Sequence, residues 1–154
     1  MEIGHAYRRF LPHYQNRERS YFVTFCTRDR KILSPDARSF VLADIVRHHK
    51  ELYYLHMAVV MPDHHLLLDP VDTPMGEIVR RIKGASARSI NAAINSAGSV
   101  WQREYFDRQI RKNEDVRAKG EYIAQNPVRA GIVALAADYR WLWRAWIEGG
   151  DEWR

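Results

Sequence analysis

The densest group of potential ligands in this chain is Asp63-His64-His65, which opens an apolar run through Leu66, Leu67 and Leu68. Imidazole and carboxylate groups at the start of a strand can hold a divalent ion while the leucines behind them anchor the backbone. A second pair, Tyr122 and Asn126, stands four residues apart just before Pro127. With a helical rise of about 1.5 Å per residue and about 3.6 residues per turn, that spacing puts a phenol and an amide on one face, roughly 6 Å apart along the axis. Tyrosine is a poor nucleophile at its ordinary pKa of about 10, so chemistry at Tyr122 requires a nearby cation or base. The third group runs from Trp101 to Asp107, where Arg103 and the following Arg108 suit phosphates and Trp101 or Tyr105 suits stacking on a base. Each group also has a plain structural reading: surface histidines, a tyrosine packed on a sheet with Asn126 as a helix stop, and an aromatic packing segment with a charged edge.

The elements that must position these groups follow from local patterning. Tyr21 to Thr27 is β-branched and aromatic and predicts a first strand, closed by the charged turn Arg28-Asp29-Arg30-Lys31. Ser34-Pro35-Asp36 supplies a cap, a proline at the first helical position and an early acid, predicting a helix from about 35 to 50. Leu52 to Met61 and His65 to Leu68 predict two tightly joined strands around Pro62-Asp63. Thr73-Pro74 repeats the cap-plus-proline start for a helix with Ile78, Val79, Ile82, Ile90 and Ile94 on one face and Arg80, Arg81, Lys83 and Arg88 elsewhere. Asn113-Glu114-Asp115 offers a cap for a helix that must finish near Asn126, because proline disfavours a helical residue before it. Strands interleaved with helices in this order predict an α+β fold with helices packed on a small antiparallel sheet.

Composition bounds the function. At 154 residues, 46% hydrophobic and 28% charged, the chain suits one domain over 1–154 with room for a single site. That domain carries an irregular basic arm at 1–19, which includes Arg8 and Arg9, and a Trp/Arg-rich tail at 140–154. The net charge of +5 favours a polyanionic partner, nucleic acid foremost. One cysteine, Cys26, excludes an internal disulfide and a cysteine-rich zinc module. The start lacks a basic region followed by an apolar run, and no stretch approaches the roughly 18 apolar residues of a membrane span, so the reading is cytoplasmic with no membrane partner.

Three blocks together carry a resemblance: Met61 to Leu68, Trp101 to Asp107, and Glu121 to Gly131. In that order they resemble the signature blocks of the REP-associated tyrosine transposases, which are single-tyrosine HUH transposases. The resemblance implies a ferredoxin-like antiparallel sheet with packed helices, a divalent metal such as Mg²⁺ or Mn²⁺, and cleavage and transfer of single-stranded DNA at hairpins through a covalent 5′-phosphotyrosine. By the same resemblance Tyr122 matches the nucleophile, Asn126 the amide ligand, and His64 and His65 the ligand histidines. Arg8, Arg9, Arg80, Arg81, Lys83, Trp101, Arg103, Tyr105 and Arg108 are the candidates for DNA contact, with the protein a monomer or homodimer.

One departure stands out. The family's histidines are separated by one apolar residue, which in a strand points both to the same face. Here they are adjacent, so a regular strand sends them to opposite faces. A bulge would restore convergence; alternatively Asp63 and His65 share a face and Asp63 replaces the first histidine. The remaining alternative is a catalytically degenerate module that binds DNA without cutting it.

Overall fold

The computed structural model describes residues 20–111 and 114–150. The basic arm with Arg8 and Arg9, the expected cap Asn113, and Trp153 with Arg154 lie outside the described residues.

The strands are β1 (Tyr21–Cys26), β2 (Tyr53–Val60), β3 (Asp63–Pro70), β4 (Phe106–Gln109) and β5 (Leu142–Arg144). The helices are α1 (Pro35–Arg47), α2 (Met75–Ala93), α3 (Val116–Ala124) and the short α4 (Asn126–Arg129). All strand pairs are antiparallel and the sheet order is β4-β1-β3-β2-β5. The first four strands with α1 and α2 therefore form a ferredoxin-like unit, and β5 extends it beyond β2.

Alternation along β1 and β3 distributes side chains to two layers. Val23, Phe25, Leu66 and Leu68 join α1 and α2 through Val41, Ile45, Ile78, Val79 and Ile82. On the other face Met57, Val59 and Leu67 pack with Val116, Ile123 and Ala124 of α3 and with Tyr139 and Leu142. Central strands covered on both faces need apolar residues in both phases, which is why β2 and β3 read as unbroken hydrophobic runs. Between Leu55 and Met57 the register of β2 on β3 shifts, leaving His56 as the extra residue. Its Nε2 lies 3.0 Å from Asp69 Oδ1, which also accepts a hydrogen bond from Ser20.

Side-chain caps open two of the four helices. Ser34 accepts from the Ala37 N–H at 3.2 Å, and Asp115 accepts from the Ala118 N–H at 3.2 Å. The first helix ends at Arg47, short of the expected 50, because Lys50 takes a left-handed φ of 74° in the turn into β2. Thr73 is not the cap of α2; Pro74 holds that position without a side-chain bond. Nor does the helix bearing Tyr122 end at Asn126: α3 stops at Ala124, and Pro127 sits near the start of α4, where its missing N–H costs nothing.

Gly120 of α3 marks a close approach. A Cβ there would lie 2.9 Å from the Trp146 ring and 3.5 Å from Leu67. The tail thus contributes to the sheet and the second core layer, with Trp141 donating its indole N–H to Ser39 at 3.0 Å. No helix among the described residues is long and apolar enough to cross a membrane.

Candidate active site

The end of the sheet where β3 begins gathers most of the candidate groups. Cys26 pairs with Asp63, Phe25 with His64 and Thr24 with His65 in unbroken register, so no bulge interrupts the strand start. Regular alternation then sends His64 and His65 to opposite faces. His64 is fully buried on the α1/α2 side, edge-on to Phe25 and Trp101 at centroid distances of 5.3 and 5.0 Å. Neither of its ring nitrogens finds a hydrogen-bond partner among the described residues. Burial pushes its pKa down to about 4, partly offset by the Met61 and Asp63 backbone, so the ring is held neutral. His64 is therefore a core histidine and does not converge with His65.

His65 faces the α3 side. Its Nδ1 shares a hydrogen bond with Thr24 Oγ1 at 3.1 Å, and its ring stacks on Phe22 with 5.6 Å between centroids. Burial lowers its pKa while Asp63 opposes the shift. Asp63 shares this face, but its Oδ1 is already engaged. Arg30 Nη2 lies 2.8 Å away and the Cys26 thiol donates to it at 3.0 Å. The Cys26 thiol is itself pushed up by burial and by Asp63.

α3, which carries Tyr122, packs on the same face of the sheet as His65. Ile110, shortly before the helix, donates its N–H to Ser20 at the far end of β1, and Gly120 passes over Leu67 in mid-strand. Lys119 places its ammonium 5.8 Å above the Phe22 ring that stacks on His65. Tyr122 itself is 62% exposed. The Arg129 guanidinium lies 4.0 Å over the Tyr122 ring and donates to the Tyr122 carbonyl at 2.9 Å and to the Asn126 amide oxygen. The amide oxygen expected to face a metal is thus already a hydrogen-bond acceptor for Arg129.

The expected DNA-contacting residues divide. Trp101 is buried, with its N–H donating to the Lys83 carbonyl at 3.0 Å and to Ser86 at 3.2 Å, so its ring packs the core and cannot stack on a base. Lys83 donates to the carbonyls of Gln102, Arg103 and Glu104, pinning that loop to α2, and burial lowers its pKa. Tyr105 is half-buried beside Lys83, and burial pushes its phenol up. Arg108 is paired with Glu114 at 3.2 Å, which holds that carboxyl down at about 2. Arg80 and Arg81 share Glu77 at 2.6 and 2.9 Å yet remain exposed. Arg103 is exposed at the rim of an open cleft of about 550 Å³ that Arg28 also lines.

Arg30 and Arg129 were not expected from the residue types alone. For Arg129 a signal existed: it follows Asn126 by three residues and Tyr122 by seven, one helical face. Arg30 lies in a charged turn whose path to Asp63 depends on strand pairing, which no local pattern encodes.

Residues 16–126 match the family model described as transposase IS200 like, and the chain belongs to that family. The match includes His64, His65, Tyr122 and Asn126. Among solved structures, a REP-associated tyrosine transposase bound to a REP hairpin matches with a TM-score of 0.65 at 23% identity, over 81% of this chain and 76% of that one. It shares the fold. A protein of Deinococcus radiodurans R1 assigned as a transposase matches at a TM-score of 0.47 and 26% identity, over 70% of this chain and 88% of that one. No curated protein matches the chain.

Proposed function

We propose that this chain binds hairpin-forming single-stranded DNA in the cytoplasm and cuts and transfers it through Tyr122. The carrying observation is an exposed phenol on the His65 side of the sheet with a guanidinium over its ring. Membership of the transposase family and likeness in fold to a protein bound to a REP hairpin support the choice of substrate. In the proposed step the Tyr122 oxygen attacks phosphorus in line and its proton passes to solvent. The bond from phosphorus to the 3′ oxygen breaks, and that oxygen leaves as a hydroxyl after taking up a proton. The 5′-phosphate stays on Tyr122, so attack by another 3′-hydroxyl reverses the step and joins strands without ATP.

The divalent ion that the resemblance implies fits the donor set poorly. His64 is buried on the wrong face, and Asp63 and Asn126 are bonded to guanidinium groups. No cluster of three or more His, Cys, Asp or Glu side chains among the described residues is arranged to hold an ion. No step above is routed through one. The same separation of His64 from His65 favours the second reading, a module that binds DNA without cutting it.

The test is a denaturing gel of protein mixed with 3′-labelled hairpin oligonucleotides. Tyr122→Phe should abolish the covalent adduct and leave DNA binding nearly intact, whereas Tyr105→Phe should leave the adduct. Loss with Tyr105→Phe and not with Tyr122→Phe would move the nucleophile to Tyr105. Binding with no adduct from the unsubstituted protein would select the module reading.

A further inference from the structure

The two oxygen donors considered for a metal, Asn126 by the resemblance and Asp63 by strand alternation, each carry an arginine instead. Arg30 sits on Asp63 at the start of β3, and Arg129 sits on Asn126 at the start of α4, whose Val128 packs in the same core layer as α3. We propose that these two guanidinium groups bind and polarise the scissile phosphate, so that transfer through Tyr122 proceeds without a divalent ion. The inference rests on Tyr122 being the nucleophile.

The placement of Arg30 is built in at a cost. Asp29 and Arg30 both take left-handed φ, 58° and 53°, although neither is glycine. Residues in such conformations are strained and persist only where surrounding structure enforces them. Here the turn is closed by the Arg30 N–H on the Thr27 carbonyl at 3.1 Å and by Thr27 Oγ1 donating to the Lys31 carbonyl at 2.6 Å. Its product is a guanidinium delivered to the β1/β3 end, with Nη2 on Asp63 and Nη1 3.8 Å from Cys26 Sγ. The Arg30 side chain remains 60% exposed, so it can turn donors towards a phosphate while Asp63 fixes its position.

Arg129 is oriented by the α3–α4 junction. Its Nη2 is shared between the Tyr122 carbonyl and the Asn126 amide oxygen, and its exposed guanidinium lies over the Tyr122 ring. A guanidinium is permanently charged and presents paired N–H donors that match two phosphate oxygens. It thereby stabilises charge developing on the transferred group, as arginine does in other phosphoryl transfers. The shortened histidine motif is consistent with this arrangement: one imidazole has gone to the core, and the positive charge comes from arginine.

The experiment uses the full chain and a pool of 3′-fluorescent hairpin oligonucleotides with randomised flanks, followed by denaturing gel in EDTA and in Mn²⁺. Adduct yield should be the same in both. Arg129→Ala and Arg30→Ala should each slow adduct formation roughly a hundredfold, the scale for removing one donor to a developing oxyanion. Arg129→Lys should fall between. Electron paramagnetic resonance of added Mn²⁺ should show the spectrum of the free ion with the unsubstituted protein. An adduct formed only with Mn²⁺ or Mg²⁺, a protein-bound Mn²⁺ signal, or alanine variants as fast as the parent would overturn the proposal. No adduct from the parent in any condition would overturn the Tyr122 reading and this inference with it.

Discussion

Adjacent histidines on one strand have opposite fates, and each can be measured. His64 is buried with its folded pKa lowered to about 4, against about 6.5 for an unperturbed imidazole. The unfolded chain therefore binds the proton more tightly across that window, and stability is lost as pH falls from about 6.5 towards 4. The loss should amount to about 3 kcal/mol by the linkage relation. Urea melts at intervals of pH would show it, and His64→Leu should flatten that slope; an unchanged slope would mean that His64 is not the buried group. Trp101 packs against both His64 and Phe25. Trp101→Ala should cost about 3 to 5 kcal/mol in the same melts, as expected for a large buried ring. A loss of DNA affinity with stability unchanged would restore it as a base-stacking residue.

Among elements, α3 decides whether Tyr122 reaches the site, and Gly120 decides how closely α3 lies on the sheet. Gly120→Ala would gain about 1 kcal/mol of helix propensity. It would also set a methyl 2.9 Å from the Trp146 ring, and overpacking of that kind costs roughly 1 to 3 kcal/mol. Net destabilisation is expected, with recovery when Trp146→Phe removes the opposing ring edge. A stabilised Gly120→Ala protein would show that the approach is looser than described. The strands and helices through Ala93 were legible in sequence because period-two and helical spacing, Ser34 and the prolines all act locally. The start of the second helix at Pro74 in place of Thr73 was not, since capping strength does not reveal which residue turns the chain. β4 was hidden because it is an exposed edge of mixed charge, with Phe106 59% exposed. At the site, the Tyr122–Asn126 spacing and the divergence of His64 from His65 were legible, while Arg30 on Asp63 required the pairing of β1 with β3.

For the whole molecule, the excess of arginine and lysine predicts binding that weakens steeply with salt. Each phosphate neutralised on single-stranded DNA contributes a slope of about −0.7 in log K against log salt, so six contacts would give roughly −4. Removing Arg103 or Arg80, both exposed, should reduce the slope by about 0.7 each if they touch phosphate. A flat salt response would contradict nucleic-acid binding altogether. In the proposed reaction the exposed phenol on α3 becomes bonded to DNA. Digesting the covalent product with protease and nuclease and sequencing the modified peptide by mass spectrometry tests it most directly. A nucleotide phosphate is expected on Tyr122 in the peptide spanning Gly120 to Arg129; the same mass on Tyr105, or no modified tyrosine while hairpin DNA still binds, would refute Tyr122 as the nucleophile.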